Sequence, residues 1–127
     1  MEQVVDLDLA AVEFAGRRTA WERRGLVVGR VTWRDGASPW PRRLVTNRSS
    51  VAEPDSIGVR VTGPGDAVLS VVLFRGGWAG VDFFATVDDA GTLPTPAVES
   101  ARAFGDPLDR CVVRVFGAQG SERQSTP

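Results

Sequence analysis

The chain predicts an α+β domain, a mostly antiparallel sheet of about five strands packed against a C-terminal helix and an N-terminal one. Three observations carry that prediction. Runs rich in β-branched and aromatic residues recur between residues 26 and 87. Asp-Gly, Gly-Pro-Gly and Gly-Gly segments of hairpin length separate them. The last apolar stretch has helical spacing instead.

Asp8 is the expected cap of a first helix running from about Leu9 to Arg24, with Gly25 as its stop. Leu9, Val12, Ala15, Ala20 and Trp21 form only a rough apolar stripe, and Phe14 and Gly16 fit it poorly. A strand through Val4 to Phe14 is the alternative. Leu26 to Trp33 reads as a strand, Arg34-Asp35-Gly36-Ala37 as a turn and Pro39-Trp40-Pro41 as a stiff extended link. Arg42 to Thr46 reads as a second strand, and Asn47 to Asp55 as loop. Ile57, Val59 and Val61 alternate with Gly58 and Arg60, the period of a half-buried strand. After the Gly63-Pro64-Gly65-Asp66 turn, Ala67 to Arg75 is almost unbroken in its apolar character. It reads as a central strand buried on both sides. Gly76-Gly77 turns the chain into a strand from Trp78 to Val87, and Asp88-Asp89-Ala90-Gly91 forms another turn. Leu93 to Pro96 is an irregular connection.

The clearest helix comes last. Asp106 caps it and Pro107 takes its first position. Leu108, Cys111, Val112, Val115 and Phe116 then fall on one face, and Gly117 ends it. Val113 lies off that face, and its valine neighbours keep a strand open as the alternative. The reading is one domain over residues 1–118 with a flexible tail at 119–127.

Composition restricts the chemistry. The chain has 127 residues and no histidine; its fifteen basic residues are all arginine, and Cys111 is its one cysteine. With no lysine or tyrosine either, most side chains used for proton transfer, Schiff-base chemistry and transition-metal ligation are missing. Coding bias in a GC-rich genome, such as an actinobacterium's, accounts for scarce lysine and tyrosine, but not for absent histidine. A net charge of −1 provides no global field for nucleic acid. The N-terminus has no signal-peptide pattern, and no stretch reaches the ~20 apolar residues of a membrane span. A cytoplasmic protein without cofactor or metal is the expectation.

Each candidate site has a plainer competitor. Cys111 falls on the apolar face of the last helix with no histidine to activate it, so it reads as a packing group. Gly63-Pro64-Gly65 and Gly76-Gly77 join strands and lack the helix and lysine of a phosphate loop. Asp82, Asp88 and Asp89 could bind a hard cation or act as acid–base carboxylates, but they also suit a solvated strand end and turn. Asp82 is notable because it lies within a strand, facing away from Val81 and Phe83. Arg42 and Arg43 beside Trp40 could stack on a nucleobase, pair with phosphate or form a protein-interaction hot spot. A solvated strand edge is the competing explanation.

The segment Leu73-Phe74-Arg75-Gly76-Gly77-Trp78-Ala79-Gly80-Val81-Asp82, with the closing Phe104-Gly105-Asp106-Pro107-Leu108-Asp109-Arg110-Cys111, resembles small bacterial immunity proteins of polymorphic toxin systems. In that pattern an apolar strand ends in a Gly-Gly turn, a further strand follows, and a helix closes the domain. Gly80 stands where the pattern has an acidic residue, with Asp82 nearby. The resemblance covers about the last half of the chain. It implies a non-catalytic binder that neutralises a cognate toxin protein by occlusion. Two candidate binding patches result, Trp40 with Arg42 and Arg43, and Asp82 with Asp88 and Asp89. The rivals are a pocket-bearing enzyme or small-molecule binder that uses Asp82 and an arginine, and a homo-oligomeric scaffold.

Overall fold

The computed structural model describes residues 4–117. The tail expected at 119–127 lies outside these residues. Helix α1 spans Leu7–Arg23. Seven strands follow: β1 Val27–Val28, β2 Thr32–Asp35, β3 Leu44–Val45, β4 Pro54–Thr62, β5 Val68–Phe74, β6 Ala79–Thr86 and β7 Asp89–Thr92. Helix α2 spans Gly105–Phe116. The sheet order is β3-β2-β4-β5-β6-β7, with β1 paired to the far end of β4. All its pairings are antiparallel. The expected α+β architecture is therefore present, with two more strands than the five anticipated.

Both helices pack on one face of this sheet. Ile57, Val59 and Val61 from β4 and Leu69, Val71 and Leu73 from β5 share a core with Leu7, Ala10, Phe14 and Trp21 of α1 and Leu108, Cys111, Val112 and Val115 of α2. Phe14 and Phe104 meet edge to face, with ring centres 5.6 Å apart, where α1 reaches the turn before α2. Outside the core, Arg17 ties the helices together, donating to Asp109 at 2.6 Å and to Glu13 at 2.9 Å.

Four local expectations change. Asp6, not Asp8, caps α1, accepting from the amides of Asp8 and Leu9. This begins the helix two residues earlier and buries Phe14, while Leu9 and Val12 are exposed. The expected strand over 26–33 is split, because β1 and β2 pair with different parts of β4. Gly29 lies at the break, with its amide 2.8 Å from the Arg60 carbonyl; a Cβ there would crowd that oxygen at 3.1 Å. The 88–91 segment is turn only at its start, since Asp89 already begins β7.

The fourth change concerns β5. It was expected to be buried on both sides, but its residues alternate between buried and half-buried. With both helices on one side, Ser70, Val72 and Phe74 belong to a face that no helix covers. The turn into β6 is tight: Gly77 has φ +90°, and a Cβ there would come within 2.5 Å of the Val98 carbonyl oxygen.

The last helix follows the sequence closely. Leu108, Cys111, Val112 and Val115 are buried, Phe116 is half-buried and Val113 is exposed. A short 3₁₀ turn, Arg102–Phe104, runs directly into α2 and takes the place of a cap at Asp106. Gly117 has φ +88° just past its end.

Candidate functional site

The link between β2 and β3 carries Trp40 onto the surface, where it is 70% exposed. It does not stand alone. The Arg42 guanidinium carbon lies 4.3 Å from the centre of its ring, and that of Arg34 lies 5.7 Å away. Arg34 is also 5.6 Å from the ring of Phe74, which stacks on Trp78 at 3.8 Å with planes 13° apart. Two arginines and three aromatic rings thus form one continuous surface.

A buried carboxylate holds it in place. Asp55, only 5% exposed, accepts from Arg34 Nε at 2.8 Å and faces Arg42 Nη1 at 3.5 Å. Arg42 Nε also donates to the carbonyl of Ser38 at 3.0 Å. Planar guanidiniums suit this role because they pair along an edge while a ring stacks on their face. Asp55 neutralises part of the charge and fixes both arginines before any partner arrives.

Trp40 and Arg42 were legible as a candidate pair, and the structure joins them. Arg34, Asp55, Phe74 and Trp78 were not assigned to it. Their joint position depends on the register Arg34–Ser56–Phe74 across β2, β4 and β5. The available signal was the alternation of β2, which sets Arg34 opposite the buried Trp33. Arg43 is exposed and takes no part in the stack. It lines a separate cleft of about 250 Å³ with Asp35, Pro39 and Pro41. Below the link, the Asp35 carboxylate accepts from the amides of Ala52, Ala37 and Glu53. Those amides hold its carboxyl below the usual carboxylate range.

The acidic candidates are divided between two faces. Asp82 is exposed on the uncovered face and accepts from Thr92 Oγ1 at 3.0 Å. Asp88 is exposed in the β6–β7 turn. Asp89 reaches towards the helices, where Arg114 of α2 grips both its oxygens at 2.7 and 2.8 Å. That pairing holds the Asp89 carboxyl below its ordinary value. Asp82 lines neither the cleft beside Arg43 nor the cleft beside Cys111.

Cys111 is 7% exposed, and burial pushes its thiol pKa up, away from the reactive thiolate. It borders a cleft of about 180 Å³ beneath the Leu93–Pro96 connection, with Arg110 and Arg114 at the rim. Gly63-Pro64-Gly65 lies in a short turn between β4 and β5, and Gly76-Gly77 joins β5 to β6. Among the described residues, no group of three acidic or thiol side chains could hold a metal ion, and no helix is long and apolar enough to cross a membrane. No protein-family model, curated protein or solved structure matches the chain.

Proposed function

We propose that this chain is a non-catalytic protein-binding domain, and that it neutralises a toxin protein by covering part of its surface. The observation that carries the binding half is the Trp40 cluster. Tryptophan and arginine are the residues on which interface energies concentrate. Here Trp40 is exposed and the two arginines are half-buried against it, and the group is already fixed by Asp55 and two flanking prolines, so little side-chain freedom is left to lose on binding. The resemblance of residues 73–82 to immunity proteins supplies the class of partner. Phe74 and Trp78 lie within that segment and also within the cluster.

The test is co-expression with each protein encoded beside this chain's gene, followed by capture of any complex. The wild type should protect the cell and retain the partner. Trp40→Ala should fold normally yet weaken binding by ~2 kcal/mol or more, about thirtyfold. Full protection by a folded Trp40→Ala/Arg42→Ala variant would remove the cluster from the account. Turnover of a small molecule by the purified chain, lost in Asp82→Asn, would replace the binding reading with catalysis.

A further inference from the structure

The uncovered sheet face has a pattern that is complementary to itself. Strand register places Arg60, Ser70, Asp82 and Thr92 in one row across β4, β5, β6 and β7. Arg60 and Asp82 therefore stand one strand to either side of Ser70, ~4.8 Å from it on each side. Both are exposed. No ion pair or hydrogen bond of the Arg60 guanidinium is found among the described residues, and Asp82 accepts only from Thr92.

The next row places Thr62, Val68 and Phe84 on the same three central strands. Phe84 is 36% exposed on β6, and its counterpart on β4 is the smaller Thr62. A twofold axis running along β5, between two such faces, exchanges β4 and β6. It would set each Arg60 over the other copy's Asp82 and each Phe84 over the other copy's Thr62. Val68 and Val72 of β5 would meet their own copies on the axis. This reciprocity is what a twofold interface requires. Aligned sheets in sandwiches cross at about 30°, which displaces positions this near the axis by only ~2–3 Å, within reach of an arginine.

The geometry points to a second copy of this chain as the occupant of the uncovered face, in a face-to-face twofold dimer with Arg60–Asp82 pairs on both sides of β5. Strands β4, β5 and β6 offer a footprint of roughly 400 Å² per copy, counted from strand spacing and rise. The total of ~800 Å² is below the size of a stable interface, which makes the dimer a weak and reversible one. Phe74 of the Trp40 cluster lies on this same face, but the Arg60–Asp82 pairs involve no residue of the cluster, so variants at 60 and 82 separate dimer formation from toxin binding.

Sedimentation velocity of the full chain over a concentration series tests it. The wild type should pass from monomer to dimer. Arg60→Asp and Asp82→Arg, each bringing like charges face to face, should weaken association about tenfold or more. The double variant Arg60→Asp/Asp82→Arg should restore it, and circular dichroism should show all three variants folded. A wild type that remains monomeric, or captures only a different protein through this face, overturns the inference. So does a dimer that both single variants leave intact, or one that the double variant fails to restore.

Discussion

The two faces of the sheet are made from the same strands, yet they have opposite characters. On one, Ile57, Val59, Val61, Leu69, Val71, Leu73 and Val81 are almost completely buried beneath the helices. On the other, the alternating positions Arg60, Ser70, Val72, Asp82 and Phe84 meet no helix. Here the period of two separates the residues that hold the domain together from those free to engage something else. Catalysis does not have to be invoked to explain the uncovered face; its chemistry is stacking, pairing and apolar contact.

The largest expected effect is on the covered face. Phe104 is 1% exposed and lies edge-on to Phe14. Phe104→Ala should cost ~3–5 kcal/mol in urea unfolding. A loss below about 1 kcal/mol would mean that the helices are not fixed to the sheet in the way described. Asp55→Ala comes next, because it removes the buried acceptor shared by Arg34 and Arg42. A loss of ~1–3 kcal/mol is expected, moderated by the partial exposure of both arginines. The same change should weaken partner capture by loosening the Trp40 stack. Unchanged capture would show that the stack does not need its carboxylate.

The contrast between the faces was partly legible in the sequence. The alternation of Ile57, Val59 and Val61 and the helical spacing from Leu108 to Val115 located the core correctly, because burial demands strict apolar periodicity. Leu69 and its neighbours misled for a physical reason. Ser70 and Val72 occur among apolar residues, so the strand resembles one that is covered twice, although its second face meets no helix. The first helix is present where the sequence predicts it, but its buried face is read wrongly because exposed Leu9 and Val12 imitate a buried stripe. Of the candidate site, only Trp40 and Arg42 could be linked from the sequence, since a proline link places them together locally. Their association with Arg34, Asp55, Phe74 and Trp78 spans β2, β4 and β5, and no local pattern specifies that register. The acidic residues 82, 88 and 89 are close in sequence, but the hairpin divides them between faces.

Acid should separate regions of the molecule more gently. Asp8, Asp35 and Asp89 all have carboxyl pKa values lowered by their partners: Arg48, backbone amides led by that of Ala52, and Arg114 respectively. A lowered folded-state value makes the contribution to stability fully present above the unfolded value, ~4, and lost as pH falls below it. Unfolding midpoints should therefore be level from neutral pH to about pH 5 and decline below about pH 4. Asp35→Asn should flatten part of that decline. A midpoint that rises on acidification would contradict the sign.

The central claim is that one face folds the domain and the other associates. It is tested most directly by the protein-concentration dependence of the melting temperature, for the wild type and Phe84→Ser. The wild type should melt higher as concentration rises, because association stabilises the folded chain by mass action. Phe84→Ser should lose that rise, while remaining within about 1 kcal/mol of the wild type at the highest dilution. A wild-type melting temperature unchanged over about a hundredfold range of concentration, or a Phe84→Ser chain as unstable when dilute as Phe104→Ala, would contradict the account.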